Sequence, residues 1–267
     1  MDKRFLTPDE VANATINTGI KKARLQVSDC IWLGILAGVF IGLGGLGNIL
    51  VTQTLGGIDA GLARLAGAGV FPVGLMLVVV CGAELFTGNN LMTLAFMNKK
   101  ITISGLLKNW SLVYIANFIG SVILVLAVFY SDIITGDAAN KAIAIAEAKS
   151  VLTISQMIIR GILCNVIVVL AVWMATAAQD IVSKVFACWF PIMLFVLCGF
   201  EHSVANMFFI PMGMILGANV TIGQLVMNLL FVTIGNIIGG AILVPCIYNK
   251  VFIKKVVNKY VTIISKS

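Results

Sequence analysis

Charge is what this chain has least of. Only 11% of its 267 residues are Asp, Glu, Lys or Arg, against roughly 25% in a soluble domain. Hydrophobic residues make up 60% and the mean hydropathy is +1.06, which excludes a soluble globular domain and places the chain in lipid. Histidine occurs once, as His202, and the six cysteines (Cys30, Cys81, Cys164, Cys188, Cys198, Cys246) form no CxxC pair and have no histidine beside them. The common zinc and redox patterns are thereby removed, no metal and no cofactor is expected, and the cysteines read as reduced, buried small hydrophobes. An HExxH helix and a serine nucleophile elbow are missing too, so no catalytic residue and no enzyme activity is expected. The glycines of GLGGLGN (Gly42–Asn48) lie within an apolar run with no strand before them, which rules out a dinucleotide fingerprint. Met1–Asp29 is polar and of mixed charge, unlike a basic head followed by an apolar core, and reads as a surface helix. The formal charge of +7 gathers at the ends and between apolar runs, a pattern of membrane topology rather than of nucleic-acid binding.

What is present is a series of long uncharged segments. A hydrocarbon core about 30 Å thick needs ~20 apolar residues per helix, and unbroken spans are expected near Cys30–Val51, Asn109–Ser131, Gly161–Ala178 and Val226–Ile247. Two segments do not fit. Leu65 to Asn98 carries only Glu84 and would be about 50 Å long as one helix, too long for one crossing and too short for two. Val185 to Gly217 has the same difficulty, with Glu201 and His202 at its centre. Both are expected to be broken helices, and irregular backbone at mid-membrane depth survives only when it is buried in protein or lines a watery cavity.

The two breaks are copies of one another. Gly82-Ala83-Glu84 followed by Asn89 has the spacing of Gly199-Phe200-Glu201 followed by Asn206, 117 residues later. Asn109, Asn117, Gly120 and Leu124 match Asn228, Asn236, Gly239 and Leu243 at an offset of 119, and Asn48 is aligned with Asn165 at 117. Each copy holds three spans, an odd number, so the second must be inverted. The expected architecture is an all-α membrane protein of six transmembrane helices, a 3+3 inverted repeat with interrupted second and fifth helices. Within it, 1–28 is an N-terminal amphipathic helix, 29–131 the first repeat, 132–160 a connection with an external amphipathic stretch, 161–248 the second repeat and 249–267 a C-terminal tail. Of the 18 lysines and arginines, only Arg64, Lys141, Lys149 and Arg160 fall on one side. The positive-inside rule then puts both termini in the cytoplasm of a multi-pass inner-membrane protein.

The strings GAELFTGN (Gly82–Asn89), GILCN (Gly161–Asn165), GFEHSVANM (Gly199–Met207) and VTIGNIIGG (Val232–Gly240) resemble, in this order, the signature motifs of the formate/nitrite transporter family. The resemblance covers nearly all of the chain. It implies a homopentamer of aquaporin-like protomers, each with its own pore, whose partners are a small monovalent anion, protons and the lipid bilayer, with no nucleic acid. Carried across residue by residue, it implies a pathway of Thr87, His202, Asn165 and Asn206, with Lys149 as a vestibule lysine, and apolar constrictions at Phe71, Leu75, Leu85, Phe86 and Phe195. Formate, nitrite and hydrosulfide are the implied anions, and the overall likeness leans towards the hydrosulfide branch.

The residues support a chemistry of their own. A lone imidazole at mid-membrane depth is a functional group by default. Glu84 and Glu201, at equivalent breaks, are expected to accept hydrogen bonds from the backbone N–H groups that the breaks set free. The half-helices beginning near Thr87 and His202 should turn their N-terminal dipoles towards an anion, which argues against a cation channel. A vestibule lysine concentrates anions, and an apolar constriction beyond it raises their proton affinity, so a weak acid is expected to gain a proton near Thr87 and His202 and cross as the neutral form, while chloride should pass poorly. The asparagines Asn109, Asn117, Asn228 and Asn236 read as close-packing residues between helices. The rival reading is an aquaporin-like channel for small neutral solutes, which the repeat suits equally well, although neither break contains an Asn-Pro-Ala box.

Overall fold

The computed structural model describes residues 4–254, of which all regular structure is helical. The last thirteen residues of the expected tail, with Lys255, Lys259 and Lys266, and likewise Lys3, lie outside the described residues. Helix α1 (Pro8–Ala23) is fixed at its start by a capping box in which the Thr7 N–H donates to Glu10 Oε2 at 2.8 Å. Among the described residues, five helices are long and apolar enough to cross a membrane: α2 (Val27–Thr52), α3 (Ala60–Gly82), α5 (Ile103–Tyr130), α7 (Ile154–Ala177) and α10 (Ile222–Ile253). Two elements are half-helices: α4 (86–97), which completes α3, and α9 (Ser203–Ile215), which completes α8 (Ile181–Leu197). Helix α6 (Gly136–Ser150) lies between the repeats. The spans extend beyond the apolar runs because capping side chains outside the lipid continue them: Thr102 accepts the Gly105 N–H and Thr221 the Gln224 N–H.

The helix breaks form in the same way twice. Helix α3 ends in a wide turn over Leu77–Gly82 and α8 ends at Leu197–Cys198, and Gly82 (φ +83) and Gly199 (φ +70) then take left-handed backbone with open space around them. Only glycine adopts that conformation without strain. The N–H of the next residue folds back in each copy, Ala83 onto the Val78 carbonyl at 3.0 Å and Phe200 onto that of Phe195 at 3.1 Å. Extended residues follow until Leu85 and His202, which stand at the N-cap positions of α4 and α9.

Packing follows the repeat as well. Helices α2 and α5 cross where a Cβ on Gly120 would stand 2.0 Å from the Ile35 carbonyl oxygen, and α7 and α10 cross where a Cβ on Gly239 would stand 2.2 Å from that of Ile162. Backbone-to-backbone contact of this kind is how helices associate in lipid, where apolar side chains gain little from leaving the solvent. Half-helix α9 is the centre of the core, with Val204, Met207, Phe208 and Ile210 inaccessible. Ala138, Ala142 and Ala146 form the buried face of α6. Ile115, Ile119 and Ile123 stand exposed at four-residue spacing along α5, an outward apolar face suited to lipid. The cysteines correct the expectation of uniform burial. Cys30, Cys164 and Cys188 are buried, whereas Cys81, Cys198 and Cys246 are exposed on the protomer, because in a membrane protein an apolar segment need not face inward.

The N-terminal segment is held to the start of the α7–α8 loop by an isolated antiparallel bridge of Phe5 with Ala178, in which the Leu6 N–H donates to the Ala177 carbonyl at 2.8 Å. Helix α1 packs against α4 and the end of α10 on this terminal face, and α6 lies on the opposite face. Gly239→Ala should force α7 and α10 apart, at a cost of about 1–3 kcal/mol. The melting temperature of the detergent-solubilised protein should fall accordingly; an unaltered value would mean that the two backbones do not touch there.

Candidate pore site at the helix breaks

At mid-depth the N-cap of α9 meets the first turn of α4. His202 Nδ1 accepts the Ala205 N–H at 3.0 Å, and its Nε2 lies 2.8 Å from Thr87 Oγ1. Thr87 is inaccessible and His202 is 3% exposed. An Nδ1 that accepts carries no proton, so the network assigns the neutral tautomer with hydrogen on Nε2. That hydrogen is donated to Thr87 Oγ1, which leaves the threonine hydroxyl proton for another acceptor. An imidazolium would set an Nδ1–H against the Ala205 N–H and lose the cap.

Glu84 and Glu201 are held differently from the expectation. Each carboxylate pairs with a lysine from a peripheral amphipathic helix: Lys22 Nζ donates to Glu84 Oε1, and Lys149 Nζ donates to both Glu201 oxygens at 3.0 and 2.9 Å. Each then accepts an amide N–H, Glu84 from Asn89 at 2.7 Å and Glu201 from Asn206 at 2.7 Å. Behind these, Asn89 donates to Asn109 and Asn206 to Asn228, both at 2.8 Å, and the two outer amides return to the carbonyls of Lys22 (3.2 Å) and Lys149 (3.0 Å). Lys149 Nζ also stands 5.7 Å from the centre of the Phe209 ring, within cation–π range.

The backbone groups freed at the breaks go to asparagines instead. Asn117 Oδ1 accepts the Phe86 N–H at 3.0 Å while its Nδ2 donates to the carbonyls of Glu84 (2.9 Å) and Gly34 (2.8 Å). Asn236 Oδ1 accepts the Ser203 N–H at 2.9 Å while its Nδ2 donates to those of Glu201 (3.0 Å) and Gly161 (2.8 Å). A carboxylate can only accept, whereas a break exposes both donors and acceptors; a carboxamide offers both. Two of the four asparagines read from sequence as packing residues, Asn117 and Asn236, therefore close the breaks, and the Phe86, Ser203 and Ala205 N–H groups at the starts of the half-helices are already used. Lys22 is the site residue that sequence reasoning missed. Its signal is an offset of 127, at which Lys22, Leu33 and Gly34 match Lys149, Arg160 and Gly161: the Glu84 N–H donates to the Leu33 carbonyl as the Glu201 N–H does to that of Arg160. The same register sets Gly38, not Asn48, opposite Asn165, correcting that alignment.

Two cavities approach the breaks from opposite faces and share no lining residue. The one on the terminal face, about 540 Å³, is lined by Lys22, Glu84, Asn89, Leu75 and Leu85 among others. The one on the α6 face, about 190 Å³, is lined by Lys149, Glu201, Asn206, His202, Phe71 and Phe195. Phe71 and Phe195 meet edge to face with ring centres 5.8 Å apart, and Phe195 stands 5.9 Å from the imidazole. Four of the five residues named for a constriction thus border the cavities. Phe86 does not: its ring packs on Trp110 and Tyr114, and it lines neither cavity. Asn165 also lines neither; its Nδ2 donates to Asn236 O (2.7 Å), to Asn90 Oδ1 (2.8 Å) and to Thr87 O (3.4 Å).

Comparison with known proteins agrees with this geometry. The family profile described as Formate/nitrite transporter matches residues 9–249. The chain is 43% identical over 256 residues to "Uncharacterized transporter YrhG" of Bacillus subtilis, covering 94% of this chain and 95% of that one. It is 42% identical over 276 residues to a "Probable formate transporter" of Methanothermobacter thermautotrophicus, covering 96% and 100%. Among solved structures, a "Pentameric formate channel with formate bound" superposes with a TM-score of 0.76 at 32% identity, covering 85% of this chain and 97% of that one. Transport, not catalysis, is the work of such proteins, and this chain belongs to the formate/nitrite transporter family.

Proposed function

We propose that this protein forms a homopentameric inner-membrane channel in which each protomer passes small monovalent weak acids, formate first, as the neutral protonated species. The observation that carries the reading is a neutral Thr87–His202 pair set between two vestibules that share no lining residue, each with its own Lys–Glu pair. Formate is placed first because the relatives whose names carry a substrate are named for it; the lean towards hydrosulfide has no such support. With four of the 18 basic residues on the α6 face, that face is taken as external and the terminal face as cytoplasmic.

Magnitudes favour the neutral species. A carboxylate with an ordinary pKa costs about 4 kcal/mol to protonate at pH 7. Stripping water from an ion costs several kcal/mol even after relaxation, and tens in an unrelieved apolar medium. Between Leu75 and Leu85 on one side and Phe71 and Phe195 on the other, protonation is the cheaper route, and a strong-acid anion has no such route. His202 has no spare proton to give while Nδ1 caps α9, so the proton comes from vestibule water. Thr87, its hydroxyl proton uncommitted, orients the substrate oxygen at the moment of transfer.

In proteoliposomes with pH controlled on both sides, formate entry should carry one proton per anion, and chloride should move at least about tenfold more slowly. Equal chloride and formate flux, or formate flux without proton movement, would refute the reading. His202→Asn keeps an N-cap acceptor but loses the hydrogen bond to Thr87, worth about 0.5–1.5 kcal/mol. Formate flux should drop roughly threefold to tenfold with assembly intact on size exclusion, and an unaltered rate in that variant would remove the pair from the pathway.

A further inference from the structure

We infer that the α6 face carries a separate anion-capture site, formed by Arg64, Lys141 and Asn48, which loads small anions into the vestibule beside Lys149. The inference rests on the reading of the protein as a weak-acid channel and concerns the step before the pore.

A cavity of about 280 Å³ opens on that face, lined by Asn48, Thr52, Ala63, Arg64, Lys141 and Val196 among others. It shares Asn48, Ile145 and Val196 with the vestibule that holds Lys149, Glu201 and His202, so the two are adjoining chambers of one approach. The charge is distributed unequally between them. In the inner chamber Lys149 gives its protons to both oxygens of Glu201, and a paired lysine and glutamate present almost no net field to an incoming anion. In the outer chamber Arg64, from the second turn of α3, and Lys141, from the second turn of α6, converge from two elements. Among the described residues neither donates to a carboxylate.

Two cations that share a recess whose lining holds no carboxylate concentrate anions and raise their arrival rate by one to three orders of magnitude at low salt. Asn48 stands at the junction, lining both chambers, and its side-chain amide makes no hydrogen bond to protein among the described residues. It supplies a neutral N–H donor where the anion leaves the cations. The chamber is larger than a three-atom anion needs, so the ligand class is a small monovalent anion with part of its water shell. A dianion such as sulfate, drawn more strongly by two cations and unable to pass as a neutral acid, should occupy the site and block it.

The test is initial formate uptake from the α6 face in proteoliposomes with the protein in known orientation, at low and high ionic strength. Arg64→Gln/Lys141→Gln should raise the half-saturating formate concentration about fivefold or more at low salt and flatten the salt dependence. Sulfate on that face, compared with chloride at matched ionic strength, should inhibit the unaltered protein competitively and lose its effect on the neutralised variant. Arg64→Lys/Lys141→Arg should restore both behaviours. Unaltered half-saturation and sulfate inhibition in the neutralised variant would overturn the capture site while leaving the channel reading intact, as would a charge-retaining variant that behaves like the neutral one. Absence of any weak-acid flux through the unaltered protein would overturn both.

Discussion

A helix that stops halfway through a membrane leaves peptide donors and acceptors at a depth where no water can take them, and each group left unpaired there costs several kcal/mol. The scaffold around the two breaks answers that constraint. Asn117 and Asn236, each accepting from the second half-helix and donating back to the break, close a gap that no carboxylate or lysine could close alone. They reach it only because α2 meets α5, and α7 meets α10, at backbone-contact distance, as the space around Gly120 and Gly239 shows. The close crossings, the amides and the breaks are thus one device, repeated.

Once the backbone is satisfied by amides, the carboxylates of Glu84 and Glu201 are available for the lysines. The result in each vestibule is a charge pair with little net field. Breaking such a pair would strand a desolvated carboxylate at a cost of about 3–5 kcal/mol, so the lysines are structurally committed whatever else they do. A pathway that presents neither a free cation nor an imidazolium at its centre stabilises no ion there. On the proposed function it suits a solute that can shed its charge, and there the neutral state of His202, fixed by the Ala205 N–H on Nδ1, would have more bearing on selectivity than its mere presence.

The sequence made the architecture legible because lipid punishes departures from pattern so heavily. Two segments of the wrong length, Leu65–Asn98 and Val185–Gly217, together with the glycine-to-asparagine spacing at each break, were enough to locate the interruptions. Lys22 escaped because the stretch between the first span and the break is ten residues shorter in the second copy, so the offset is 127 before that stretch and 117 after it, and a fixed-period comparison misses the match. That shift also explains the false partnership of Asn48 with Asn165. The roles of the asparagines were misread because sequence gives side-chain type and depth but not direction, and in lipid a buried amide serves equally well between helices or across a break. Phe86 shows the same limit: it is one residue from Leu85 and Thr87, yet in the first turn of a helix successive side chains point about 100° apart, and its ring turns back onto Trp110 and Tyr114.

The repeat also separates scaffold from chemistry. At the break offset of 117, Gly82, Glu84 and Asn89 are reproduced in type as well as in contact, and so are Lys22 and Asn117 at their own offsets. Between them the copies diverge: Leu85 stands where the second copy has His202, Phe86 where it has Ser203, and Thr87 where it has Val204. A requirement imposed by the membrane acts on both halves alike and keeps them alike. The central hydrogen bond joins a residue without a counterpart in one half to a residue without a counterpart in the other, Thr87 to His202 at 2.8 Å. No demand for backbone satisfaction or packing calls for that pairing, since Leu85 fills the N-cap position of α4 without any side-chain cap. On the proposed function, the departure from symmetry marks the place where the solute, rather than the bilayer, sets the residue types.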